Sequence, residues 1–500
     1  MTADDVQQTD GARQTEPAAL YDRLAAIRAD IVEKGEARKA ELTSGGTLPD
    51  RHAASLANLC QYLALRHHDV RPLQRELMAL GLSSIGRLES RVRPTLDAVL
   101  ASLAAIGGWA PEFPRPDRDA FFEGEALLEA ATDALFGPAR EHRRGRIMVT
   151  LPGEAAEDPG FILDLAKKGM DVARINCAHD DEAAWTAMAG HVRRAGEETG
   201  RQLTVLMDIA GPKIRTEHVT GNKKLAAGDL IRLLAAGEPY ANDAVPCCAV
   251  VSLPEIIERL ETGHRVSYND GKLEGEVESV YGGEVLVRVT HTKTGGSKLK
   301  AEKGLNFPDT DLGLSPLTAK DRTDLGVVAE HADMLGYSFV TRPDDLDLLE
   351  KALAERPARL RPLAFIAKIE QPDALSNLPG LIARARLFDR PFGVMIARGD
   401  LAAEIGFERL AEMQEELLWV CEAAGVPTIW ATQVLEDLVK SGLPSRGEMT
   451  DAAMATRAEC VMLNKGPAVA DAVVLLDSLL GRMDQHVFKK TPILRPLHTW

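Results

Sequence analysis

Aromatic side chains are scarce in this 500-residue chain, at 5% of the total, and cysteine occurs six times. Cys60, Cys177, Cys247, Cys248, Cys421 and Cys460 show no Cys-x-x-Cys spacing, which argues against a zinc ribbon or a disulfide framework. No apolar window reaches bilayer-spanning length, and the N-terminus lacks the apolar core of a secretory signal. A reducing cytoplasm is therefore the expected setting. Positive charge is also short: 59 Lys and Arg against 75 Asp and Glu leave a net charge of −16. That balance argues against nucleic acid and anionic membrane as partners, so any phosphate site has to be a local basic pocket. A Gly-x-x-x-x-Gly-Lys-Ser/Thr loop is missing too, which excludes a P-loop kinase. What remains is a 45% hydrophobic chain, long enough for two or three domains with proper cores.

Residues 1–18 are polar and expected to be loose. Helical periods follow, with Leu20, Leu24, Ile27 and Ile31 as one stripe and Leu56, Leu59, Leu63 and Leu65 as a second, so an all-α domain is expected over 19–140. Within it, Leu77 to Ser90 reads as a helix, a turn at Gly81, and a second helix capped by Ser83 or Ser84, best taken as a packing unit. His67 and His68 lack further ligand spacing and read as ordinary histidines. The proline-rich run Trp109 to Pro116 reads as a linker.

From Arg146 onward strands alternate with helices. Strands are expected at 146–150, 172–176, 203–209, 333–340, 363–369, 392–397, 427–432 and 460–464, which gives an α/β fold with a (β/α)8 TIM barrel over 141–217 and 309–490. The first crossover helix is well signed, with Asp158 to cap it, Pro159 in its first turn and Gly169 to end it. Between the third and fourth strands, 218–308 is β-rich, with a turn at Asn269-Asp270-Gly271, and is expected to be an inserted β lid domain; 491–500 is a tail.

The barrel strands end in charge. Val394 to Ala397 runs straight into Arg398, Gly399 and Asp400, and Leu363 to Ala367 runs into Lys368 and Glu370, which share a strand face. In such barrels the chemistry sits where strands end at the C-terminal rim. Lys368-Ile369-Glu370, Ala397-Arg398-Gly399-Asp400-Leu401 and Ala431-Thr432-Gln433 resemble, in order and spacing, the signature segments of the pyruvate kinase family. The likeness is collinear from about Arg146 to about Gly466 and takes in Gly169 to His179, Met207 to Thr216, Lys303 to Pro308 and Pro444 to Asp451.

The resemblance implies phosphoryl transfer from phosphoenolpyruvate to ADP, giving pyruvate and ATP, in a homo-oligomeric enzyme. It implies Mg²⁺, or Mn²⁺ in its place, on Glu370 and Asp400. Lys368 would stabilise the enolate, with Thr432 and Arg174 as further catalytic groups, and Gly399, Asp400, Thr432 and Arg215 would hold the substrate. Arg174, Asn176, His179 and Lys303 would face the nucleotide. The family's C-terminal regulatory domain is expected to be missing. Paralogues on another enol-phosphate or 2-oxo acid, and a regulatory binder of phosphoenolpyruvate or nucleotide, are the competing readings.

Several positions depart from the family pattern. Ala178 replaces a serine that ligates a monovalent cation, leaving Asn176 and Asp208 as a residual pocket, while Lys213 stands where glutamate is common and is expected to replace potassium. Thr150-Leu151-Pro152-Gly153 reverses a Gly-Pro turn, and Asn464-Lys465-Gly466-Pro467 replaces Ser-Gly-Glu-Thr. Cys177 replaces an aromatic residue and is expected to pack. Arg446, Glu448 and Asp451 suit either structural or catalytic roles.

Overall fold

The computed structural model describes residues 3–356 and 362–492, with side chains from Glu16 onward. Most of the expected tail, everything after Pro492, lies outside the described residues. The chain opens with helices α1 (Ala3–Leu42), α2 (Asp50–Leu65), α3 (Arg71–Ala79), α4 (Val92–Gly107) and α5 (Arg118–Phe136). Helix α1 starts inside the polar segment expected to be loose. Its apolar stripe works as the periodicity requires: Leu20, Leu24 and Ile31 are buried, in one continuous core with Leu56 and Leu59 of α2 and the barrel's outer helices.

The helix expected to start at Ser83 or Ser84 does not form. Gly81 ends the α3 turn at φ 73°, but Ile85 is itself left-handed at φ 48°, which no helix tolerates, and the chain runs irregularly until α4 starts at Val92 with Pro94 in its first turn. The loop instead docks the helical layer onto the barrel. Arg87 pairs with Glu422 at 2.6 Å and Glu89 at 3.0 Å, and the Asn58 amide donates to the carbonyls of Glu89 and Ala423 at 2.7 and 2.8 Å. His68 is likewise structural, with Nε2 2.7 Å from Asp30.

Among the described residues, eight parallel strands close into a barrel in the order β1 (Arg146–Thr150), β2 (Val172–Asn176), β3 (Thr204–Asp208), β11 (Met334–Tyr337), β12 (Ala364–Ile369), β13 (Phe392–Ala397), β14 (Thr428–Ala431) and β15 (Cys460–Leu463), which returns to β1. Every strand starts or ends within three residues of its expected limit. The strands are buried because helices cover them, which is why they read as continuous apolar runs. The first of these helices, α6 (Pro159–Lys168), begins with Asp158 accepting from the Phe161 amide and ends at Gly169, φ 135°. The barrel interior is filled by Met148, Leu206, Ile366, Met395 and Met462, and Leu135 and Phe136 at the end of α5 join that cluster. The floor of the barrel is thus plugged, and the open rim lies at the strands' C-terminal ends.

The insertion between β3 and β11 is a seven-stranded sheet of β4 (Thr216–Thr220), β5 (Leu230–Leu234), β6 (Cys247–Val251), β7 (Arg265–Tyr268), β8 (Leu273–Tyr281), β9 (Glu284–Thr292) and β10 (Leu305–Asn306). A bridge between Arg215 and Gly304 ties its two edges, with the Leu305 amide donating to the Ile214 carbonyl at 2.9 Å, so the sheet curls on itself. It has its own apolar core, including Ile231, Val266, Val287 and Phe307. The helices that complete the site follow β13: α11 (Arg398–Ile405), α12 (Phe407–Ala423), α13 (Glu436–Ser441) and α14 (Arg446–Met454).

Candidate active site

The rim is organised around one ammonium. Lys368, near the end of β12, donates to Ser338 Oγ at 2.7 Å, pairs with Glu370 Oε1 at 2.8 Å, and lies 3.4 Å from Asp208 Oδ1. Asp208, at the end of β3, is 1% exposed and also accepts from Arg174 Nε at 2.9 Å. Arg174 in turn donates to Thr150 Oγ1 at 3.0 Å, so its guanidinium is held by two neighbouring strands. The close pass of β11 beside Asp208 requires Gly336, because a Cβ there would lie 2.8 Å from Asp208 Oδ1. Ser338 has no place among the sequence candidates. Its signal was its position just past the fourth barrel strand, on the rim where such barrels keep their chemistry.

Burial and charge set the protonation states. Burial pushes the Lys368 ammonium down, but the Asp208 and Glu370 carboxylates overcome that and raise it, so it stays charged. Burial pushes Asp208 up, and Lys368 with Arg174 more than reverses the effect, holding it below the ordinary carboxylate range. Glu370 is raised: burial dominates, Lys368 opposes it, and the nearby Asp400 carboxylate adds to the upward push. The two carboxylates repel across the rim, and each is answered by one ammonium, Lys368 at 2.8 Å from Glu370 and Lys213 at 2.7 Å from Asp400. Glu370 also accepts the Phe339 amide at 2.8 Å, which fixes one of its oxygens. No group of three or more His, Cys, Asp or Glu forms a closed metal cage among the described residues. Glu370 with Asp400 is instead the kind of oxygen pair that suits Mg²⁺ or Mn²⁺ when substrate oxygens complete the shell.

Four sequence expectations need correction. Lys213 does not sit between Asn176 and Asp208; its ammonium pairs with Asp400 Oδ1 at 2.7 Å. The residual cation pocket is consumed within the chain, since Asp208 is already held by Arg174 and Lys368, and Asn176 Oδ1 accepts from the Ala178 amide at 3.1 Å. Arg398, expected to present a cation to the rim beside Asp400, turns away. It donates to the carbonyls of Ala431 and Thr432 at 3.0 and 2.6 Å, pairs with Asp451 and stacks on Trp430, so Arg398 and Asp451 form a clamp that fixes the β14 exit. The Gly399 amide, expected to hold a substrate carboxylate, donates to Thr432 Oγ1 at 3.0 Å. Thr432 and Gln433 are left-handed, at φ 64° and 56°, and this strained exit turns the Thr432 hydroxyl onto α11. Glu448 caps α14 in a reciprocal box with Ser445.

The remaining candidates lie apart from these carboxylates, in an open cleft and at the lid junction. His179 lines an open cleft with Gly153, Asp180 and the exposed Lys465. Its imidazole is held below the ordinary value by burial first and then by the positive charges of Lys465, Arg215 and Arg174. The departures at Gly153 and Lys465 therefore meet in one place. Arg215 contacts the Glu302 carbonyl at 3.4 Å, and the Lys303 amide donates to Thr216 Oγ1 at 3.2 Å; both lie at the lid junction and reach none of the rim carboxylates. Cys177 is fully buried and its thiol is pushed up by burial, so it packs. Lys320 of α8 (Ala319–His331) donates to the Cys177 carbonyl at 2.9 Å and pairs with Asp324, bracing the turn that carries His179.

A family model described as pyruvate kinase, barrel domain, matches residues 142–471. The pyruvate kinase of Methylorubrum extorquens is 33% identical over 352 residues, which cover 70% of this chain and 69% of that protein. That of Mycobacterium intracellulare is 33% identical over 326 residues, 64% of this chain and 65% of its own length. A solved pyruvate kinase structure from Cryptosporidium parvum matches with a TM-score of 0.61 at 27% identity, over 71% of this chain and 73% of that one. The chain spans about two thirds of the length of these relatives, and it belongs to the pyruvate kinase family.

Proposed function

We propose that this protein transfers the phosphoryl group of phosphoenolpyruvate to ADP, giving pyruvate and ATP. The observation that supports it best is the Lys368 ammonium, largely buried at 12% side-chain exposure and bonded at once to Ser338 and Glu370 beside Asp208. As the bond between phosphorus and the enol oxygen breaks, negative charge collects on that oxygen, and a fixed ammonium in a dry site is the group that neutralises it. Arg174, pinned by Asp208 and Thr150, and Arg215 balance the oxygens of the moving phosphoryl group. Asn176, His179 and Lys303 face ADP. Glu370 and Asp400 would hold Mg²⁺, or Mn²⁺, which when bound supplies Lewis-acid neutralisation of phosphoryl and carboxylate oxygens. Because Thr432 Oγ1 accepts the Gly399 amide, its own proton is free to donate to the substrate. Lys213 brings a resident ammonium to Asp400, so potassium is not required. We place the enzyme in the cytoplasm as a homo-oligomer.

The altered exit at Asn464-Lys465-Gly466 favours one further reading, a paralogue acting on another enol-phosphate or 2-oxo acid through the same rim. The test is purified protein with phosphoenolpyruvate and Mg²⁺, followed for pyruvate with and without ADP. Pyruvate that forms only with ADP supports the proposal. Binding of phosphoenolpyruvate without turnover, with any acceptor, refutes it.

A further inference from the structure

The lid carries a groove of which the proposed reaction uses only Lys303, at one end. Of the 12 residues lining it, six are lysines, Lys224, Lys272, Lys293, Lys298, Lys300 and Lys303, and none is Asp or Glu. In a chain with 75 acidic and 59 basic residues, a carboxylate-free wall of six ammonium groups is a marked local inversion of charge. Lys298 donates to the neutral Asn222 Oδ1 at 2.7 Å, and among the described residues none of the six forms an ion pair. Lys223, next to Lys224 in sequence but not among the groove residues, pairs with Asp229 at 2.8 Å, so carboxylate partners exist nearby and are kept out of the groove. Six like charges facing one space repel each other unless an anion enters it.

The frame that holds them is rigid. Leu225 and Ser297 exchange backbone hydrogen bonds of 2.8 and 3.1 Å, Ser297 Oγ donates to the Lys272 carbonyl at 2.8 Å, and the hydroxyl of the buried Tyr268 accepts the Lys300 amide at 2.8 Å. Three chain segments are thereby locked side by side. Gly296, at φ 79°, lets them close up, since a Cβ there would come within 2.8 Å of the Leu225 carbonyl. The groove encloses about 520 Å³, within the range of small-molecule sites. Lysine ammonium groups are mobile point charges that follow phosphate oxygens along a chain, whereas planar recognition of a single carboxylate falls to arginine.

We propose that this groove is a second anion site, beyond the phosphoryl-transfer rim, and that it takes a linear oligophosphate of two or more phosphates, free or as the tail of a nucleotide. Lys303 is already assigned to ADP, so the test leaves it intact. Intact protein in magnesium-free buffer is titrated calorimetrically with inorganic tripolyphosphate at about 0.15 M salt, where bare surface attraction is screened beyond about 8 Å. The comparison is Lys224→Ser/Lys272→Ser/Lys293→Ser, three exposed positions whose replacement leaves the frame in place. A saturable site that weakens by about tenfold or more in the triple variant, with the melting temperature unchanged, supports the proposal. Equal affinity in both proteins, or binding by the wild type only at low salt, overturns it. A nucleoside triphosphate that binds tighter than tripolyphosphate, and loses that advantage in the variant, assigns the occupant as a nucleotide tail; equal binding assigns the free chain. The readout needs no turnover, so failure to make pyruvate would leave this result standing.

Discussion

Replacing Lys368 by methionine keeps the length of the stem and deletes the ammonium, so it isolates the charge at the centre of the rim. The loss falls unequally on the two carboxylates it serves. Asp208 keeps Arg174, while Glu370, 2% exposed, keeps only the Phe339 amide and still faces the Asp400 charge. Breaking a buried pair in this way costs about 3–5 kcal/mol, because one charge is left without compensation. Lys368→Met is therefore expected to be destabilised as well as slow, with turnover down by at least roughly 10²-fold. The direction of its pH dependence follows. Glu370 is already raised above the usual carboxylate value, and without Lys368 it is raised further, so the folded state binds a proton that the unfolded state has released. Stability then falls as pH rises through the folded value of Glu370 and recovers on acidification, which relieves the stranded charge. Thermal melts of wild type and variant across pH read this directly: the gap should be wide at about pH 8 and narrow towards about pH 5. A gap that is flat with pH, or turnover within a factor of about two of wild type, would refute the reasoning.

Activity in potassium-free, sodium-free buffer should match activity with potassium added, and Lys213→Glu should lower turnover while lowering the Mg²⁺ concentration needed, since it removes the ammonium that competes for Asp400 and sets a third carboxylate beside Asp400 and Glu370; a large potassium activation would show that the ammonium on Asp400 does not stand in for the ion's charge. Arg398→Ala should lower stability by about 3 kcal/mol and turnover with it, since the clamp on Asp451 and the Ala431 and Thr432 carbonyls positions Thr432; lost stability at full turnover would separate the clamp from the site. Glu404 accepts from the lid's Asn306 at 2.9 Å and is pushed up to about 7, chiefly by burial. As a raised carboxyl, it should make folded-state stability decline as pH rises through about 7, and Glu404→Gln, which keeps the accepting oxygen, should flatten that slope in a melt series; an unchanged slope would assign it elsewhere.

The barrel was legible because each parallel strand is buried on both faces, so its apolar run and its exit residues stand out in one dimension. Lys368 and Glu370 were found by that rule, Asp208 was named only through the family resemblance, and Ser338 was hidden because the strand expected over 333–340 ends at Tyr337. Partner choice was not legible. Whether Arg398 faces the rim or Asp451, and whether Lys213 meets Asp208 or Asp400, depends on how side chains from strands far apart in sequence meet, and no local pattern encodes it. The missing helix after Ser83 failed for a related reason: two serines supply good caps, yet Arg87 gains more from pairing with Glu422 on the barrel's outer helix, and Glu89 from pairing with Arg87 and Lys490, than a local turn offers. Glu404 lies four residues past Asp400, but its raised value arises from burial under the lid, which sequence spacing does not convey.

The central claim is that the Lys368 rim moves a phosphoryl group from an enol oxygen to ADP. A single-turnover reaction with protein in excess of phosphoenolpyruvate, with ADP and Mg²⁺ present, followed by phosphorus NMR and a pyruvate assay on the same sample, tests it most directly. The account predicts ATP and pyruvate appearing in equal amounts and at one rate, with both lost in Lys368→Met. Phosphoenolpyruvate that stays intact, or that yields pyruvate and inorganic phosphate without ATP, would contradict it.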